Sequence, residues 1–187
     1  MQRNFTHLNH HYFLLPVLFS LVFISCVYFN TFYNAETSFK KALKVIEESP
    51  IIVDDELPSQ AKKLLGEAIE NSKLVLKEYP DSKYVDDAIY IIAKASFLRD
   101  EVAIAESHFN LLLRDYPESK FYSLSEIWLA YTHFRMGMVD SAKTTLENIQ
   151  EGESINKENL YIIHNVLAEI ALEVDSTEQV YYHYELA

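Results

Sequence analysis

Tyr79-Pro80-Asp81-Ser82-Lys83 and Tyr116-Pro117-Glu118-Ser119-Lys120 are two copies of one pentapeptide, set 37 residues apart. Each follows a stretch with helical spacing of apolar residues and carries a proline that ends it. The match extends outward from the two turns. At the same offset Ala93 pairs with Ala130, Phe97 with Phe134, Ala105 with Ala142 and Phe109 with Leu146. A period of this length marks stacked helical hairpins, because one hairpin alone cannot bury its own apolar faces.

The surrounding pattern completes an all-α reading. Tyr28 to Glu48 places Phe32, Ala35, Phe39 and Ala42 on one helix face. A linker from Ser49 to Pro58 follows, with Pro58 suited to the first turn of the next helix. Ala61 to Tyr79 brings Leu64, Leu65, Ala68, Ile69 and Leu76 to one side. The repeat then predicts helices over Lys83–Leu98, Glu101–Tyr116, Phe121–Arg135 and Val139–Gln150. After a polar loop at Glu151–Ser154, Lys157–Glu173 and Ser176–Ala187 form a last pair. The expectation is a solenoid of about four hairpins. Three glycines and five prolines in 187 residues supply few of the sharp turns a sheet protein of this size needs.

The N-terminus reads as an address. Tyr12 to Ser25 is a 14-residue apolar stretch, the length of a signal-peptide core and short of the ~20 residues of a spanning helix. It runs into Cys26, the single cysteine, so no intrachain disulfide is available. Phe23-Ile24-Ser25-Cys26 resembles a bacterial lipobox, although Phe23 stands where leucine is usual. The resemblance implies cleavage before Cys26 and lipidation of its thiol, with residues 1–25 a signal peptide and 26–187 the mature repeat domain. An uncleaved membrane anchor and a plain signal peptide are the alternatives. Two or more acyl chains, at about 0.8 kcal/mol per buried methylene, hold a protein on a membrane where one chain is marginal. Val27 is not the aspartate that retains enterobacterial lipoproteins in the inner membrane, so the resemblance implies the periplasmic face of the outer membrane.

Ala93, Ala105, Phe109 and Pro117 stand at the relative spacing of the small, small, aromatic and proline positions of a tetratricopeptide repeat. The second copy keeps Ala130 and Ala142, has Leu146 for the aromatic and lacks the proline. The longer unit and the Tyr-Pro-acid-Ser turn resemble the outer-membrane lipoprotein subgroup represented by BamD (YfiO), which serves β-barrel assembly, and also periplasmic repeat proteins associated with Tol-Pal. The resemblance implies a binding groove lined by the first helices of successive hairpins. Carried over through Ala93 and Ala130, it selects Asp87, Tyr90 and Lys94, then Ile127, Tyr131 and Arg135. Hairpin packing is the competing reading for Ile127 and Tyr131. On the groove reading, Tyr90→Ala with Tyr131→Ala abolishes partner capture and leaves the melting temperature nearly unchanged. The segment Val27–Tyr33 is either the opening of the first helix or an aromatic strip at the lipid surface.

Chemistry is sparse. Glycine stands only at 66, 137 and 152, so no phosphate-cradling or nucleophile-elbow motif is present. His108, His133, His164 and His183 each lack a second ligand at helical spacing. Asp54-Asp55-Glu56 lies in a linker, and Asp86-Asp87 in a first helical turn, where the dipole favours negative charge. A formal charge of −12 gives no basic stripe for nucleic acid. These features predict a non-enzymatic scaffold with no metal or cofactor, binding other envelope proteins or extended peptides, the β-barrel assembly machinery among them. Scaffolds for secretion, peptidoglycan or Tol-Pal machinery, and an enzyme-accessory or ligand-binding envelope protein, are the alternatives. Ala187 falls inside a predicted helix, as expected of a piece of a longer array.

Overall fold

A computed structural model describes residues 30–49, 57–152, 155–174 and 176–186. The leader, Cys26 and the acidic cluster Asp54-Asp55-Glu56 lie outside the described residues. The described residues are helical, with no strand among them. In chain order the helices are α1 (30–47), α2 (Ser59–Glu78), α3 (Val85–Leu98) and α4 (Val102–Asp115), then α5 (Tyr122–Arg135), α6 (Val139–Gln150), α7 (Lys157–Glu173) and α8 (Thr177–Leu186). From α2 onward each helix packs on the next in sequence, and α3, α5 and α7 also touch in series. The architecture is therefore repeat-like, as the 37-residue period requires.

The turns repeat atom for atom. Tyr79 and Tyr116 close α2 and α4, each donating its N–H to a carbonyl four residues back, Val75 and Leu112, at 2.9 Å. Ser82 and Ser119 then donate N–H to the carbonyls of Tyr79 and Tyr116, both at 3.0 Å. Their hydroxyls accept from the N–H of Tyr84 (2.9 Å) and Phe121 (3.2 Å), satisfying a donor that the incoming helix leaves open. The turns inside the hairpins match as well. Asp100 (φ 62°) and Gly137 (φ 81°), also 37 apart, both adopt the left-handed conformation that ends a helix. Beyond them the N–H groups of Glu101 and Met138 reach back to Ser96 and His133, both at 2.9 Å. Asp100 holds this conformation without glycine's freedom, and Arg135 Nη2 binds its carboxylate at 2.8 Å. Pro58 sits one residue earlier than expected: its carbonyl takes the first helical bond, from Lys62 N–H, and α2 begins at Ser59.

The four repeat-related pairs outside the turns are all buried, from Ala93 with Ala130 to Phe109 with Leu146. The alanines let helices approach closely and the larger side chains fill the space beside them. Three clusters result. The first joins Phe32, Phe39 and Ala42 of α1 to Leu65 and Ile69 of α2 and to Ile91 and Ile92 of α3. The second sets Ile89, Tyr90 and Phe97, on the other side of α3, against Phe109 and Leu112 of α4. The third joins Ile127 and Phe134 of α5, Leu146 of α6 and Ile163, Leu167 and Ile170 of α7. Each fully buried leucine, isoleucine or phenylalanine is worth about 1.5–3 kcal/mol over exposure. Because α3 serves two clusters, eleven of its 14 residues are buried. In the Val27–Tyr33 segment, the described part from residue 30 is helix, and Phe32 stacks on Tyr84 with ring centroids 4.4 Å apart.

Candidate functional site

The six residues selected as a groove separate in the structure. Asp87, in the first turn of α3, is half-buried and takes Lys120 Nζ at 2.5 Å from the second Tyr-Pro turn. Its neighbour Asp86 accepts from Ser119 Oγ at 2.7 Å, so both aspartates anchor that turn. Burial pushes the Asp87 carboxyl up, against the opposing pull of Lys120. Tyr90 is only 6% exposed. Its ring stacks on Phe121 at 4.1 Å and meets Phe109 edge-on at 6.4 Å. Burial, and secondarily the Glu158 charge, raises its hydroxyl above the ordinary tyrosine range. Ile127 is core. Burial of Ile127 and Tyr90 favours packing over an open groove at these two positions, and on that reading Tyr90→Ala lowers the melting temperature. Both fill gaps between successive hairpins.

Lys94, Tyr131 and Arg135 surround a different feature. Lys94 is 7% exposed and its ammonium lies over the rings of Trp128 and Phe97, in an aromatic enclosure that Tyr131 completes. Burial pushes the lysine far below its ordinary range. Trp128 Nε1 is buried with no hydrogen-bond partner among the described residues. The Tyr131 hydroxyl donates to Glu169 Oε2 at 2.5 Å, tying α5 to α7, and burial followed by that carboxylate raises its pKa. Arg135 is exposed at the end of α5. The sequence reading missed Trp128, which α5 sets one turn before Thr132 and beside Tyr131. Its place as the single tryptophan, on a helix already assigned to the groove, was the available signal.

The histidines are less isolated than their spacing suggested. His164 Nδ1 lies 3.2 Å from His183 Nδ1, across α7 and α8, although 19 positions separate them. Burial lowers both pKa values, and the charge of His164 lowers that of His183 further. His133 Nε2 reaches Glu106 at 3.3 Å, and His108 Nδ1 meets its own helix at the Ile104 carbonyl. Among the described residues, no group of three or more histidine, cysteine or acidic side chains converges as a metal site.

A cleft of about 840 Å³ lies where the N-terminal ends of α5 and α7 meet the C-terminal half of α6. Phe121, Leu124, Ile127, Ile149 and Ile155 supply its apolar wall, and Glu126, Glu158, Thr145, Asn148 and Asn159 its polar groups. Asn156 caps α7 there, its Oδ1 accepting from Asn159 N–H at 2.8 Å. No protein-family profile and no curated protein sequence matches this chain. No helix among the described residues is long and apolar enough to cross a membrane.

Proposed function

We propose that the chain is a lipid-anchored, periplasm-facing protein-binding scaffold of the outer membrane, similar to BamD in β-barrel assembly. Its helices are read as four stacked tetratricopeptide-like hairpins: α1/α2, α3/α4, α5/α6 and α7/α8. The observation that carries this reading is the repeat itself. Two inter-hairpin turns and two intra-hairpin turns recur 37 residues apart with the same backbone bonds, over a buried set of small and large residues at the same offset. Arrays of this kind present extended surfaces to other proteins. The lipobox-like segment ending at Cys26 supports placement at a membrane surface.

Labelling with radioactive palmitate tests the anchor: the wild-type chain takes up label and Cys26→Ala does not. Affinity purification of the full chain from detergent-solubilised membranes tests the partner. Co-purification of β-barrel assembly subunits supports the reading. Recovery of a defined secretion, peptidoglycan or Tol-Pal complex in their place overturns the barrel-assembly assignment and leaves the scaffold.

A further inference from the structure

The cleft exists because the repeat lapses at one place. Between the first two repeats the corresponding space is closed: Phe121 stacks on Tyr90, and Leu111 packs against the same cluster. Advancing each of these by 37 positions gives Glu158 for Phe121, Ile127 for Tyr90 and Asn148 for Leu111. Two aromatic rings and a leucine are replaced by an acid, a shorter aliphatic residue and an amide. All three replacements line the cleft. The volume is the imprint of the missing plug.

Its chemistry is one-sided. Glu126 is half-buried and Glu158 stands at the rim, and neither meets a cation among the described residues. Burial raises the Glu126 carboxyl, the response of an acid with no counter-charge. The lining lysine, Lys120, is already paired with Asp87, and Lys157 does not line the cleft. The side chain of Asn159 is equally uncommitted: only 9% of the residue is exposed, and its amide has no hydrogen-bond partner among the described residues. Its polar atoms are reached by solvent rather than sealed in the core, so the amide opens onto the cleft with its donors and acceptor free for a ligand's polar group.

We propose that this cleft binds an arginine side chain, with its flanking backbone, from an extended segment of a partner protein. The proposal deepens the scaffold reading and rests on it. A guanidinium fork suits two unpaired carboxylates better than an ammonium, because its planar donors address both oxygens of a carboxylate. The methylene stem lies along Phe121, Leu124 and Ile149. The amides of Asn148 and Asn159 offer a donor and an acceptor each to the partner's backbone. An anionic segment would meet Glu126 and Glu158 with no free lysine to offset them.

The test is a titration of the full chain in detergent, labelled with ¹⁵N-asparagine, with the peptide acetyl-Leu-Arg-Leu-amide. Its citrulline and glutamate counterparts serve as probes of charge. Saturable shifts of the Asn148 and Asn159 side-chain amides are expected. Binding should weaken at least tenfold with citrulline and vanish with glutamate. Asn148→Leu combined with Glu158→Phe returns two of the three plug residues of the preceding repeat, and should abolish the Asn159 shift with no drop in melting temperature. Should that chain fail to fold, the near-isosteric pair Glu126→Gln and Glu158→Gln carries the test, with a tenfold loss expected. Equal binding of citrulline and arginine, tighter binding of the glutamate peptide, no shift at 20 mM, or undiminished binding by the variants each overturns the proposal. Failure to recover barrel-assembly subunits, with the shifts intact, would instead count against the partner assignment alone.

Discussion

Tyr90→Ala is the sharpest test of how successive hairpins are held together. The ring is 6% exposed, lies against Phe121 with the planes 4° apart, and touches Phe109 edge-on. Truncation removes the buried ring and strands both neighbours beside a cavity. Large aromatic-to-alanine changes at such sites cost about 3–5 kcal/mol, of which the paired rings supply about 0.5–1.5 kcal/mol each. For a domain of this size that corresponds to a fall in melting temperature of roughly 6–20 °C. Tyr90→Phe is the control, since it keeps the stack and loses only the hydroxyl. It should stay within about 1 kcal/mol of wild type. The assay is urea and thermal unfolding of the purified chain, followed by far-ultraviolet circular dichroism. If Tyr90→Ala loses less than about 1 kcal/mol, the ring is not structural, and the groove reading of Tyr90 returns.

Three further outcomes follow from the geometry. Lys94→Met should stabilise the chain by about 1–3 kcal/mol at neutral pH, since it replaces an unpaired buried amine with an apolar side chain of similar length. The unfolded lysine binds its proton more tightly than the folded one, so wild-type stability rises as pH climbs toward 10.5, and the advantage of methionine should shrink across that range in unfolding curves. Ser119→Ala deletes both the cap to Phe121 N–H and the bond to Asp86, and should cost about 2 kcal/mol in denaturant unfolding, with an unchanged transition arguing against the turn as an anchor. Both paired histidines are held below 6.5, so the unfolded chain gains protons first as pH falls. Stability should drop below pH 6.5, and His183→Gln should lessen the difference in melting temperature between pH 7 and pH 5.

Much of the fold was legible because the repeat writes the same physical requirement twice. Alanines at 93, 105, 130 and 142 mark close helix approach, and Pro80 and Pro117 mark the stops. The helix ends fall within about two residues of the positions read from sequence, as expected where caps fray. What escaped was the choice of face. Spacing places Tyr90, Ile127 and Tyr131 on the first helices of their hairpins, but it does not say that Phe121 will cover Tyr90 or that α7 will cover Ile127. Those are contacts between elements, set by the packing of the whole stack. The histidine pair escaped for the same reason, since α7 and α8 bring together residues 19 apart. The cleft was written in the sequence as a difference: subtracting one repeat from the next exposes Glu158, Ile127 and Asn148.

The double duty of α3 has a consequence for how the molecule comes apart. A hairpin with a private core could open alone, and its amide protons would exchange with solvent on its own timescale. Here the inner wall of the first cluster and that of the second are opposite sides of one 14-residue helix. Unfolding of α3 exposes both clusters at once. The N-terminal four helices therefore behave as one cooperative block, and the cluster shared by α5, α6 and α7 is a second one, joined to the first through the aromatic rings at the top of α5. The boundary between the two blocks falls where α4 meets α5.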